Sequence, residues 1–376
     1  MRKSNPIAID LFCGVGGMSL GFEQAGFTVL AAIDSDPVNA ETYLRNFPSC
    51  KLICTDVSKL SASRIRSLAR LGNRQIDVLF GGPPCQGFSL IGKRRFDDSR
   101  NRLLYEFARL VREFQPSYFL LENVPGLLSG NMREYLDSFL TCVKRVGYLH
   151  AYPIQIMNAL DFGVPQIRRR VIVLGYKKGF RPPILTDLQV PNCLPPKSQS
   201  PTVWDAIGDL AHVDRDPTLF ESDRYMGQLG RPSKYGKLLR GEAHDPDDHF
   251  KPPKTKVIGL SGCRRVKHTL TTIKRFKQTA PGTSEPISHF FRLEKHGHAP
   301  TLRAGSDRSR GLFTAARPIH PVQPRCITTR EAARLHSFPD WFEFHPAKCH
   351  SFRQIGNSVP PLMARGIARS IFTVID

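Results

Sequence analysis

Ile7-Ala8-Ile9-Asp10-Leu11-Phe12-Cys13-Gly14-Val15-Gly16-Gly17 decides how the chain folds. Ile7 to Phe12 read as a buried strand, the next residues form a turn crowded with glycine, and Met18 to Ala25 read as a helix. Glycine lets a backbone approach a ligand closely, as in the βα turns that bind nucleotides. The spacing is not the GxGxxG of dinucleotide enzymes. A generic nucleotide or adenosyl site and a tight structural turn both fit this stretch taken alone.

The same alternation continues outward. Thr28 to Asp34 is strand-like and Pro37 to Phe47 helical; Ile76 to Phe80 is a strand that meets Gly81-Gly82-Pro83-Pro84. Leu103 to Phe114 is helical, Tyr118 to Glu122 a strand, Met132 to Val146 a helix, and Val171 to Gly175 another strand. Strands alternating with helices predict an α/β domain with a mostly parallel sheet. Asp34, ending the second strand, suits a ribose diol, and Asp56, near the end of a third, suits an adenine amino group.

After Gly179 the texture changes. Residues 181–201 are rich in proline, and pattern is sparse to about residue 325, with strand-like fragments such as Thr269-Leu270-Thr271-Thr272-Ile273. Residues 251–310 hold 14 Lys and Arg against 3 Asp and Glu. Regular helix returns at Thr329 to His336 and Pro361 to Phe372. The whole chain of 376 residues carries a formal charge of +21, which favours a polyanionic partner because basic side chains release counterions condensed on phosphates. Its nine cysteines include no CxxC, and Cys50 and Cys54 have no histidine pair at zinc-ligand spacing, so no metal site is expected. Free thiols, no signal-peptide pattern and no bilayer-length apolar run point to a cytoplasmic protein with no membrane association.

Three segments carry chemistry. Gly82-Pro83-Pro84-Cys85-Gln86-Gly87-Phe88-Ser89 presents a thiol on a loop stiffened by proline at the carboxyl end of the sheet, where open α/β sheets bind ligands. A buried inert cysteine is the common alternative, but a nucleophilic thiolate suits this setting. Leu121-Glu122-Asn123-Val124-Pro125 ends the next strand with a carboxyl group able to face the same cleft and donate a proton. In Gln166-Ile167-Arg168-Arg169-Arg170, period-two alternation puts Gln166, Arg168 and Arg170 on one face.

These segments, with Asp10 to Gly17, Arg330-Glu331-x-Ala333-Arg334-Leu335-x-x-Phe338-Pro339 and Gln354-x-Gly356-Asn357-Ser358-Val359-Pro360, closely resemble the cytosine-5 DNA methyltransferases, in the family's order and over nearly the whole chain. Cys13 stands where many members carry alanine. The resemblance implies a Rossmann-like S-adenosylmethionine-dependent methyltransferase domain from residues 1–179 with 350–376, and a smaller, irregular target-recognition domain over 180–349. It implies Cys85 as nucleophile, Glu122 at the base's N3, and Arg168 and Arg170 holding the base, with Gln86, Ser89, Asn123 and Gln166 also on the substrate. Phe12, Gly14, Gly16, Asp34, Asp56, Val57, Pro84, Asn357 and Val359 would contact S-adenosylmethionine. The implied partner is double-stranded DNA, with a cognate restriction endonuclease acting on the same site. The protein would act as a monomer associated with the nucleoid. A tRNA cytosine-5 methyltransferase of the same fold and a catalytically silent DNA-binding protein are the rival readings. The first is disfavoured by the sizeable basic region, the second by retention of Cys85, Glu122, Arg168 and Arg170.

Overall fold

A computed structural model describes residues 5–84, 102–185, 190–194, 199–253, 258–305 and 317–375. Its first half follows the alternation read from the sequence: β1 (Ile7–Leu11), α1 (Gly17–Gln24), β2 (Thr28–Asp34), α2 (Pro37–Asn46), β3 (Lys51–Cys54), α3 (Ala62–Leu68), β4 (Val78–Gly81), α4 (Arg102–Phe114), β5 (Tyr118–Asn123) and α5 (Asn131–Arg145). Three further strands follow, β6 (Tyr148–His150), β7 (Gln155–Asn158) and β8 (Arg169–Lys177). All join one sheet in the order β3-β2-β1-β4-β5-β8-β6, with β7 also paired to β8. The pairs from β3 to β5 are parallel, and β8 runs antiparallel to β5, β6 and β7.

The sheet is apolar on both faces because helices cover both. Along β1, Ala8 packs into one core layer while Ile9 and Leu11 pack into the other. The order reverses between β1 and β4, so connections leave β1 in opposite directions and open a crevice at the strands' carboxyl ends. The Gly-rich turn follows β1 at that crevice, and the Gly82-Pro83-Pro84 segment follows β4. The two backbones run tightly together there: a Cβ on Gly81 would lie 2.1 Å from the carbonyl oxygen of Leu11.

The rest of the described chain contains α6 (Val203–Ile207), α7 (Lys234–Arg240), α8 (Leu270–Gln278), α9 (Thr329–Leu335), α10 (Lys348–Asn357) and α11 (Pro361–Phe372), with short 3-10 turns between them. The strand-like reading of residues 269–273 is corrected, because they form the cap and first turn of α8. Thr269 accepts a hydrogen bond from the backbone N–H of Thr272, which starts a helix despite the β-branched run. Phe276 then anchors α8 on Ile319 and Cys326.

The carboxyl-terminal helix packs back on the first helix. A Cβ on Gly21 of α1 would sit 2.5 Å from the Ala364 Cβ and 2.7 Å from the Pro361 carbonyl oxygen, so glycine sets the spacing of α1 and α11. Helix α9 is wholly buried, and its arginines tie distant segments together. Arg334 donates to the Ala206 carbonyl and pairs with Asp209 and Asp340, while Arg330 donates to the carbonyls of Ser261, Pro339 and Phe342. Among the described residues no helix is long and apolar enough to cross a membrane.

Candidate active site

The turn after β1 needs backbone shapes that few residues adopt. Phe12, Gly14 and Gly16 hold φ of 64°, 56° and 95°, in the left-handed region where only glycine pays no steric penalty. A Cβ on Gly16 would lie 2.3 Å from the Phe47 ring, whereas one on Gly14 would meet nothing within 4 Å, so Gly14 borders open space. Asp34, at the end of β2, fixes this turn: Oδ2 accepts from Gly14 N at 2.8 Å and Oδ1 from Asp36 N at 2.8 Å. Oδ1 also accepts from Asn39 Nδ2 at 3.4 Å, so Oδ2 is the oxygen that retains a lone pair for a further donor. Burial, opposed by those hydrogen bonds, raises the Asp34 pKa. Below the turn, buried Asp10 accepts from Ser19 Oγ at 2.6 Å through one oxygen, while its Oδ1 has no partner among the described residues.

Asp56 lies just past β3, exposed, with Oδ1 accepting from Ser58 N, and Val57 beside it is buried. A Cβ on Gly17 would lie 2.4 Å from the Val359 carbonyl oxygen, so the stretch after α10 reaches the start of α1. Phe12, Gly14, Gly16, Asp34 and Val359 therefore meet around one end of the crevice. The donor set suits an adenosyl group: carboxylates to accept from ribose hydroxyls and an amino group, and a glycine turn open toward the ligand.

A second cluster stands at the ends of β4, β5 and β8. Glu122 ends β5 nearly buried, and its Oε1 lies 2.7 Å from Arg170 Nε in an ion pair. Gly82 passes so close that a Cβ there would sit 2.6 Å from Glu122 Oε2. Asn123 Nδ2 donates to the Pro83 carbonyl at 3.2 Å and so fastens the chain just before Pro84 onto β5. Cys85, Gln86 and Ser89 lie outside the described residues, as do the other residues to 101.

The alternation at the start of β8 is as read, since Gln166 and Arg168 are buried and Ile167 and Arg169 exposed. Their partners are protein groups, however. Arg168, 1% exposed, donates to the carbonyls of Leu302 at 3.0 Å, Gly356 at 2.7 Å and Ser358 at 2.8 Å. Burial, then the nearby Arg170 charge, lower its pKa. Gln166 donates to the Leu335 carbonyl, bonds His336 Nδ1 at 3.0 Å and accepts from Leu302 N. His336 Nε2 lies 2.9 Å from the Ser358 carbonyl oxygen. Asn123, Gln166 and Arg168 are thus engaged with backbone, and Arg170 is the arginine that reaches Glu122. Asn357, by contrast, is exposed at the end of α10.

Sequence reasoning missed His336 and the buried Asp10–Ser19 pair. It also gave no task to Gln354, which donates to the Val38 carbonyl and Thr42 Oγ1 and binds α10 to α2. Asp10 and Gln354 are named members of the quoted motifs, whereas His336 stands at an unspecified position and Ser19 outside them, and a motif does not disclose partners remote in sequence.

Sheet order, crevice and the two clusters define a Rossmann-like methyltransferase domain. A solved structure of a DNA modification methyltransferase encoded within an E. coli prophage superposes with a TM-score of 0.80 at 35% identity, covering 98% of this chain and 99% of that one. S. pombe Dnmt2 shares the fold at a TM-score of 0.55 and 17% identity, covering 96% of each chain. The chain matches the C-5 cytosine-specific DNA methylases over residues 7–373 and belongs to that family. It is 45% identical over 372 residues to the Type II methyltransferase M.XorII of Xanthomonas oryzae, spanning 99% of this chain and 86% of the relative. Its activity is cytosine-5 DNA methylation, of the restriction–modification type.

Proposed function

We propose that the protein methylates a cytosine flipped out of a specific duplex sequence, through a transient bond between Cys85 and C6 of the base. The observation that carries this reading is the Glu122–Arg170 pair, 2.7 Å apart, with Glu122 on the strand whose Asn123 holds the Pro83 carbonyl two residues before Cys85. Cytosine C5 is a weak nucleophile. Addition of the Cys85 thiolate to C6 forms the C6–S bond and moves the ring's electron pair toward C5. Glu122, carrying a proton, donates it to N3, which draws electrons from C6, and recovers it when the C6–S bond breaks, while Arg170 orients Glu122 and stabilises charge at the base. Bound S-adenosylmethionine supplies the methyl group that C5 takes. A water then removes the C5 proton, the C6–S bond breaks, and Cys85 leaves as a thiolate. Both faces of the ring are used, so the base must leave the stack.

Phe12, Gly14, Gly16, Pro84 and Val359 would enclose the cofactor, Asp34 would accept from its ribose, Asp56 and Val57 would bound its adenine, and Asn357 would close the site. Arg168, Gln166 and Asn123 act in this reading as positioning groups, holding the base cluster and the cofactor end in register. Gln86 and Ser89 would face the DNA. Residues 1–179 with 350–376 form the catalytic unit and 180–349 the DNA-reading unit. The enzyme works as a monomer in the cytoplasm on nucleoid DNA, and protects sites cut by a companion restriction endonuclease.

DNA containing 5-fluorocytosine tests the covalent step, because fluorine at C5 cannot leave as a proton does. Wild-type protein with S-adenosylmethionine should form a complex that survives denaturation, and Cys85→Ser should form none. Turnover without any trapped adduct would overturn the covalent mechanism.

A further inference from the structure

Outside the crevice, two basic side chains stand together with no hydrogen-bonded carboxylate among the described residues. Lys348 opens α10, and Phe352 lies one turn further on the same helix face. Arg317 stacks over the Phe352 ring with its Cζ 5.4 Å from the centroid, which brings it to Lys348. Among the described residues, neither the buried Lys348 Nζ nor the buried Arg317 Nε has a hydrogen-bond partner. A neutral His268 lies beside them, its pKa lowered by burial and then by the Lys348 charge. Its Nε2 accepts from Cys326 N at 3.2 Å, which leaves Nδ1 to carry the proton as a donor.

The carboxylates nearby are already matched. Glu331 accepts from both terminal nitrogens of Arg325 at 2.8 and 2.9 Å and from Thr328 N, and Asp214 also pairs with Arg325. The Cys326 thiol, pushed up to about 11 by burial, is neutral. Burial and then the Arg317 charge pull the Lys348 pKa down to about 8, against a weaker opposing pull from nearby Glu331. Helix α10 also begins on Ala347 with no side-chain cap, and a helix start favours anions.

We propose that Lys348, Arg317 and His268 hold a backbone phosphate of the bound DNA. Like charges confined without a partner gain most from a group that brings negative charge and several acceptor oxygens, and a phosphodiester brings both. The proposal rests on the DNA reading and adds a specific anchor to it. Lys348 and Asn357 sit at opposite ends of α10, about 14 Å apart at helical rise. The anchored phosphate therefore lies apart from the cofactor end of the crevice. The anchor fixes where the duplex lies relative to the crevice and carries no sequence information itself.

The test is the salt dependence of binding to a duplex carrying the mapped methylation site. Each lost phosphate contact reduces the log–log slope by about 0.9. Lys348→Gln with Arg317→Gln should show that reduction, whereas Lys348→Arg should keep the wild-type slope. S-adenosylmethionine affinity measured alongside reports whether α10 remains seated, and Arg317→Gln alone serves if the double variant fails to fold. A scan of neutral methylphosphonates along the duplex should find one phosphate whose replacement weakens the wild type and not the variant. A variant with the wild-type slope and every phosphate penalty intact would overturn the anchor while leaving DNA methylation standing. A wild type that binds no duplex would overturn the DNA reading and the anchor with it.

Discussion

Arg168→Met separates two tasks for an arginine that the family resemblance assigns to the base and that bonds three backbone carbonyls in the structure. Methionine keeps much of the apolar stem and removes every donor. The Leu302, Gly356 and Ser358 carbonyls lose hydrogen bonds of 3.0, 2.7 and 2.8 Å. Ser358 keeps the contact with His336, so two carbonyls are left without this side chain's donor. A buried polar group deprived of its partner costs about 1–3 kcal/mol. Removing a cation that burial disfavours returns part of that. The net expectation is a loss of about 2–4 kcal/mol, read as a lowered melting temperature. The functional signature is more telling. Gly356 and Ser358 flank Asn357, and Arg170 lies two residues from Arg168, so both clusters should loosen together. Displacement near 1 Å can cost about a hundredfold in rate. S-adenosylmethionine affinity, measured without DNA, should weaken alongside kcat/KM. If that affinity equals the wild-type value while kcat collapses, Arg168 acts on the base and the positioning account is refuted.

Gly21→Ala should destabilise by about 1–3 kcal/mol, because its Cβ would meet the backbone of α11 at 2.6–2.7 Å; an unchanged thermal or denaturant midpoint contradicts that packing. Stability should fall on acidification below about pH 6.5. Burial holds His320 down at about 4 and His336 well below the ordinary value, so both stay neutral when folded and bind protons on unfolding. Their contribution is present above the unfolded pKa and is lost as pH drops, by about 1.4 kcal/mol per pH unit for each proton. His336→Gln should flatten a plot of melting temperature against pH, and a slope identical to wild type would argue against it. Arg170→Lys should lower kcat more than DNA affinity, since an ammonium cannot reproduce the guanidinium's fixed approach to Glu122; equal kcat in both proteins would remove orientation of Glu122 as its role.

The fold was legible where one physical signal dominates. Apolar runs such as Val78 to Phe80 and Tyr118 to Leu121 can only be strands buried on both faces, and the Gly14–Gly16 turn announces its strained backbone in its composition. Helix α10 was not read as a helix because its buried face is partly polar: Ser351, Gln354 and Gly356 point inward to meet Thr329, α2 and residues 303–304. The arginines were hardest. The resemblance assigns Arg168 to the base and gives Arg330 and Arg334 only as motif members, yet all three are fully buried on partners up to 190 residues away. A sequence gives an arginine's charge but not the carbonyls that will receive its donors. Similarly, Thr269 to Ile273 carry a strand-like composition that a capping hydrogen bond overrides.

The central claim is sequence-specific cytosine-5 methylation of DNA through Cys85. Its most direct test is expression of the wild type and Cys85→Ser in a host lacking cytosine methylation, followed by base-resolution mapping of 5-methylcytosine across the genome. The account predicts one recurring motif methylated by the wild type and none by the variant. Methylation persisting in Cys85→Ser, or an unmethylated genome beside a folded, cofactor-binding wild type, would contradict it.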